Sequence, residues 1–296
     1  MKQSEKNCKR IVVKIGSSLF YDDKKKLDFS LLDSLCSDMV SLRKSGKDMV
    51  VVTSGAIALG MSILKLASRP KDLSSLQAAA AIGQNELMDV YRAIFEAKNI
   101  QCAQVLLTWE DFSDRTRYLN ARNTLLKLLS LGAIPIINEN DTVSIDEIKF
   151  GDNDQLSALV ANVVGADLLI ILSDVDGLWG ADKKTVVRLV TDIDDKISSL
   201  ATTTRRTTSV GGMITKIKAA RMTVDAGIPC VIANGRQKNI IRTLSQDPAA
   251  CGTMFVPKAA ILNHKQRWLA YSTKPRGVIV VDDGAKSALK SKKSLL

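Results

Sequence analysis

Residues Ala133–Val164 read AIPIINENDTVSIDEIKFGDNDQLSALVANVV, and a strand, an acidic loop and a helix follow one another within them. Ala133–Ile137 is an apolar run with a β-branched core, the signature of a strand, and Gln155–Val164 spaces its apolar residues as an amphipathic helix does. From Ile136 to Asp154 the chain carries Glu139, Asp141, Asp146, Glu147, Asp152 and Asp154 against a single Lys149, although its net charge is +11. A loop leading from strand to helix opens at the carboxyl end of its strand, where open α/β sheets bind their ligands. Its charge suits a cation or an ammonium group, and a solvated surface loop would carry the same composition.

The same strand-then-helix grammar extends in both directions. Arg10–Ile15, Asp48–Thr53, Cys102–Leu107, Asp167–Leu172 and Ile228–Ala233 are further β-branched runs separated by helical stretches. That alternation predicts right-handed crossovers and a largely parallel sheet, an α/β fold of three layers. The helix from about Ser30 to Lys44 places Leu31, Leu32, Leu35, Met39 and Leu42 on one face, and Gly46 closes it. A second helix begins near Ile214 and ends before Gly227 and Pro229. After Thr253 only short apolar runs remain, Trp268–Tyr271 and Val278–Val281, which are expected to form an antiparallel edge of the sheet. One domain is the simpler organisation: residues 1–257 as its core and 258–296 as its final strands and a basic tail.

Composition narrows the function. With 296 residues and 46% hydrophobic content a sizeable core is available, while 4% aromatics argues against stacking platforms for single-stranded nucleic acid. The five cysteines are dispersed, odd in number and without a CxxC pair, so neither a zinc site nor a disulfide framework is expected, and reduced cytoplasmic thiols fit. No uncharged stretch approaches the roughly 20 residues of a membrane span. From Lys258 onward nine Lys and Arg face only Asp282 and Asp283, but they are scattered among apolar residues, which favours a solvated tail over a nucleic-acid contact.

Three other strand ends carry small or glycine-rich loops. In Val12–Ser18, VVKIGSS, a strand delivers Lys14 and then backbone N–H groups suited to phosphate oxygens. In Val51–Ala56, VVTSGA, Ser54 opens a small-residue helix, as an N-cap or as part of an anion site. In Val210–Lys216, VGGMITK, Lys216 falls in a first helical turn, where the dipole opposes it and a partner anion, phosphate above all, should offset it. There is no GxxxxGK[ST] or GxGxxG motif and no protein-kinase signature, and the only histidine, His264, lies in the tail. Lysines, carboxylates, hydroxyls and amides suit phosphoryl transfer, which needs positioning and charge neutralisation more than a strong base.

Taken together, VVKIGSS, VVTSGAIA, LLTWEDFSDRTRYLNARNTL, the NEND and GDND pair, Ser173-Asp174 and GGMITKIKAA resemble the glutamate 5-kinases of the amino acid kinase superfamily, in order from about Arg10 to about Gly284. The resemblance implies ATP-dependent phosphorylation of the glutamate side-chain carboxylate, the first step of proline biosynthesis, with Mg²⁺ accompanying ATP. It implies that Lys14 binds ATP phosphate, that Ser54, Asp141 and Asn153 contact glutamate, and that Asp154 orients Lys14 and Lys216. Nucleotide contacts are implied for Ser173, Asp174 and the run Val210, Gly211, Gly212, Met213, Ile214, Thr215 and Lys216. A homo-oligomer and feedback by proline are further implications. The sequence departs from the family pattern at Val210, where a threonine is usual, and it stops about where the C-terminal PUA domain of many members would start, so a form without that domain is expected.

Overall fold

Strand β1, Arg10–Ile15, lies at the middle of the sheet, parallel to β2 (Asp48–Val52) on one side and to β5 (Leu168–Ser173) on the other, with Val12 level with Val50 and Leu169. In this computed structural model, residues 8–22, 27–143, 153–202, 212–257 and 280–291 are described. Beyond β2 come β4 (Ile134–Glu139) and β3 (Cys102–Leu107); beyond β5 come β7 (Cys230–Asn234), β8 (Thr253–Phe255) and β6 (Leu189–Val190). Every neighbouring pair is parallel except β7 with β8. The chain therefore fills one side of β1 first and then the other, each time laying an outer strand before the inner ones are complete, and the change of direction opens a crevice at the carboxyl ends of β1, β2 and β5.

Alternation along the strands divides the core in two. Ile11, Val13, Val51 and Ile170 face α1 (Phe29–Lys44), α2 (Ala56–Ile63), α3 (Leu73–Glu96) and α9 (Ile240–Gln246). Val12, Val50, Leu169 and Ile171 face α5 (Arg115–Ser130), α6 (Asn153–Val164), α7 (Asp195–Thr202) and α8 (Met213–Val224). The result is the three-layer arrangement expected from the sequence. Two short helices, α4 (Trp109–Ser113) and α10 (Asp283–Lys290), and a 3-10 turn at Ser17–Leu19 complete the described elements.

Several expectations are corrected. Helix α6 is not amphipathic: it begins at Asn153, and every residue from Leu156 to Val164 is buried, Ser157 and Asn162 included. The sheet covers one side of it while α5 and α8 cover the others, and a helix enclosed in this way has no solvent face to mark with polar residues. The antiparallel strand β8 begins at Thr253 itself, ahead of the runs expected to supply it, the outermost position belongs to β6, and Val280 and Val281 are exposed outside any strand. Trp268–Tyr271 lies outside the described residues. Among the described residues no helix is long and apolar enough to cross a membrane, and the five cysteines form no disulfide.

Helices α2 and α3 cross with almost no separation. A Cβ on Gly60 would stand 1.8 Å from the carbonyl oxygen of Ala79, and one on Gly83 would stand 1.9 Å from that of Ala56. Backbone meets backbone there, and this contact draws α3 against the start of α2, at the edge of the crevice.

Candidate active site

Lys14 shares the parity of Val12 along β1, so its side chain leaves the sheet on the face that α6 covers. There it meets the first turn of α6: Lys14 Nζ is 2.7 Å from Asp154 Oδ1. Lys216, in the first turn of α8, reaches the other oxygen, with its Nζ 3.1 Å from Asp154 Oδ2. Thr215 Oγ1 donates to the same Oδ2 at 2.6 Å. All three charged side chains are nearly closed to solvent, with Asp154 only 1% exposed. The anion expected beside Lys216 is thus a carboxylate of the protein, and Asp154 also gains from the dipole at the start of α6.

Burial by itself pushes the Asp154 carboxyl up, but the charges of Lys14 and Lys216 and the hydrogen bonds from Lys14 and Thr215 outweigh it and hold the group down to about 2. One ionised carboxylate therefore keeps two buried ammonium groups side by side at the mouth of the crevice. Such a pair is equipped to meet an incoming anion.

The β1 loop and the end of β5 form the neighbouring wall. Gly16 N–H donates to Leu172 O at 2.9 Å, and a Cβ at this position would lie 3.0 Å from that same oxygen, a tight contact. Ser18 Oγ donates to Asp174 Oδ1 at 3.2 Å. The hydroxyl of buried Ser173 has no partner among the described residues. Gly212 caps α8 and Met213, Ile214 and Thr215 open its first turn, whereas Val210 and Gly211 lie outside the described residues.

On the opposite wall, Ser54 does not cap α2. Gly55 occupies the cap at φ 104°, a left-handed conformation natural to glycine, and Ser54 instead accepts from Asn153 Nδ2 at 2.9 Å. Asn153 Nδ2 also donates to Thr53 O at 2.9 Å and to Asn138 Oδ1 at 3.0 Å. Asn138 in turn donates to Gln84 Oε1 at 2.8 Å. Asp141 sits half-buried in the turn after β4, while Asp146, Glu147 and Asp152 lie outside the described residues.

The sequence reading passed over Asn138 and Gln84. Asn138 stands inside the NEND motif at the end of β4. Gln84 lies on the helical stripe of Leu76, Ala79, Ala80, Gly83 and Leu87, where a glutamine among buried apolar residues is itself a signal.

Among the described residues no group of three or more His, Cys, Asp or Glu side chains converges to hold a metal ion. A metal here would suit a ligand that brings its own oxygens, as Mg²⁺ bound to a nucleotide's phosphates does.

The profile of the Amino acid kinase family matches residues 9–234. The glutamate 5-kinase of Pelobacter propionicus is 47% identical over 297 residues, covering 98% of this chain and 79% of that protein. The glutamate 5-kinase of Azoarcus sp. is 45% identical over 301 residues, covering 100% of this chain and 81% of its own length. Among solved structures, carbamate kinase from Giardia lamblia bound to AMP-PNP superposes with a TM-score of 0.59 at 19% identity, over 84% of this chain and 99% of that one. N-acetylglutamate synthase from Neisseria gonorrhoeae, complexed with coenzyme A and L-arginine, gives 0.60 at 15% identity, over 85% of this chain and 62% of its own. At those identities the structures share the fold alone. The family profile and the relatives, spanning nearly the whole chain, lead to one conclusion: the chain belongs to the amino acid kinase family, among its glutamate 5-kinases.

Proposed function

We infer that this chain transfers the γ-phosphoryl group of ATP to the side-chain carboxylate of L-glutamate, giving L-glutamyl 5-phosphate, the first step of proline biosynthesis. A carboxylate oxygen of glutamate attacks the γ-phosphorus, the bond to the β,γ-bridging oxygen breaks, and ADP leaves. Two anions must approach one another, so the barrier is largely electrostatic. The observation that carries the reading is the buried carboxylate of Asp154 with a lysine on each oxygen.

In this assignment Lys14 and Lys216 neutralise charge on the transferred group, and Asp154 keeps both ammonium groups in place. Ser54, Asp141 and Asn153 hold glutamate, Asp141 and Asn153 reading its α-ammonium end. The Gly16–Ser18 loop, Ser173, Asp174 and residues 210–216 hold the nucleotide. Mg²⁺ would supply charge neutralisation to the phosphates of the nucleotide, and Asp174 is the carboxylate of the nucleotide wall that could help to hold it. Residues 1–257 act as the kinase core, and the basic segment 258–296 follows it. The enzyme works in the cytoplasm as a homo-oligomer, with proline as feedback inhibitor.

A coupled assay of ADP release across a panel of amino acids tests the reading. Turnover that requires L-glutamate and yields an acyl phosphate trapped by hydroxylamine is expected. Absence of glutamate-dependent turnover would overturn it.

A further inference from the structure

The amide groups of Gln84, Asn138 and Asn153 form a relay whose polarity is dictated from one end. Thr53 O belongs to the backbone and can only accept, so the group that Asn153 turns towards it must be its NH₂. Asn138 must then offer its oxygen to Asn153, which leaves its own NH₂ to face Gln84, and Gln84 must answer with Oε1. Reversing any one of the three side chains would set two donors or two acceptors against each other. The orientation of all three is therefore fixed by the network itself.

Two consequences follow for the site. Asn153 Nδ2 shares two N–H groups among three acceptors, Thr53 O, Ser54 Oγ and Asn138 Oδ1, and because Ser54 Oγ accepts in this contact, its own proton is not used there. Asn153 Oδ1 is buried and has no hydrogen-bond partner among the described residues, as is Gln84 Nε2 at the far end. Leaving such groups unpaired costs about 1–3 kcal/mol each, so an acceptor held open in this way marks a place for a donor. Gln84 is 8% exposed, Asn138 is 1% exposed, and the bare backbone crossing at Gly83 holds the first of them against the start of α2.

We propose that Gln84 is a positioning residue that keeps the Asn138 oxygen turned to Asn153 and so reinforces the hold of Thr53 O on the Asn153 amide, leaving the Asn153 carbonyl oxygen turned to the acceptor substrate and making this wall selective for an acceptor that bears an ammonium group. The proposal rests on the kinase reading above and specifies how the acceptor is recognised. Gln84 itself touches no reacting atom.

The test compares Gln84→Met, which keeps length but removes the acceptor for Asn138, with Gln84→Glu, which retains it. Each is assayed with L-glutamate and with glutarate, the analogue lacking the ammonium group, as alternative substrate or competitive inhibitor. Gln84→Met is expected to raise KM for L-glutamate about tenfold, near the loss of one charge-assisted hydrogen bond, and to shrink the preference for glutamate over glutarate by a similar factor. KM for ATP should stay within about twofold, and Gln84→Glu should restore the preference to within about threefold of the parent. A purely structural role would lower thermal stability and the active fraction without moving that preference. The preference cancels the fraction folded, and Gln84→Ala supplies a smaller truncation should the methionine fold poorly. An unchanged preference in Gln84→Met or Gln84→Ala, or a Gln84→Glu that behaves like them, would overturn the proposal. A parent enzyme inactive on glutamate would instead overturn the kinase reading.

Discussion

Replacing Asp154 by asparagine changes one atom and removes the charge on which two buried lysines converge. Lys14 and Lys216 each have 7% of their side chains exposed, and they contact different oxygens of the one carboxylate at 2.7 Å and 3.1 Å. An asparagine can offer an oxygen to one of them but must turn its NH₂ towards the other. Removing one partner of a buried ion pair costs about 3–5 kcal/mol, because the remaining charge has lost its water and gained nothing. At about 2–4 °C per kcal/mol for a chain of this size, the melting temperature should fall by roughly 10 °C. The pH dependence follows from the depressed carboxyl. Its charged form contributes stability above its ordinary value near 4, and that contribution is lost as pH falls through about 2. Urea denaturation of both proteins should thus show a constant gap from pH 8 to pH 5 that narrows only in stronger acid. Turnover should fall by on the order of 10²-fold or more, because two donors lose their placement together. A variant within about 0.5 kcal/mol of the parent, the usual range for an inconsequential surface change, and with unchanged kcat would refute the electrostatic account of this site.

Further perturbations separate the walls of the crevice. Lys216→Ala should lower kcat by about 10²–10³, the worth of one transition-state donor, and steady-state kinetics at saturating ATP would show whether that lysine is merely structural. Asp141→Ala should raise KM for glutamate by about 10–100-fold, matching a charged hydrogen bond of roughly 1.5–3 kcal/mol, while KM for ATP changes little; equal losses for both substrates would remove Asp141 from the acceptor site. Gly83→Ala drives a methyl group into the Ala56 carbonyl and should destabilise the protein by about 1–3 kcal/mol, read by urea denaturation. A neutral effect there would mean that α2 and α3 can slide apart freely.

The strands were legible because a β-branched run bounded by turn residues has few other uses, and β1 and β3 keep the bounds read from the sequence. Helix α6 was misjudged in character, since periodicity reports how many faces meet solvent and this one meets none. Strand β6, two residues long, carries too little pattern to be seen. At the site, the motifs mark Lys14, Asp154 and Lys216 and the resemblance implies that Asp154 orients both lysines, yet the residues alone do not show that meeting, which depends on three separate strand and helix ends. Ser54 misled for a physical reason: serine before a helix usually caps it, and here the left-handed Gly55 takes the cap and frees the hydroxyl for Asn153. Asn138 and Gln84 act through other amides, so their importance lies in orientation, which one-dimensional patterns do not record.

The central place of β1 also bears on inheritance. Under the proposed assignment every residue that holds the acceptor is encoded before β5 begins, and every nucleotide residue apart from Lys14 and the Gly16–Ser18 loop is encoded from β5 onward. A gene of this layout can exchange its acceptor by recombination or drift within one contiguous stretch while the donor's grip is left untouched. Descent with altered acceptors then needs no new scaffold, only a rewritten stretch between the β1 loop and β5.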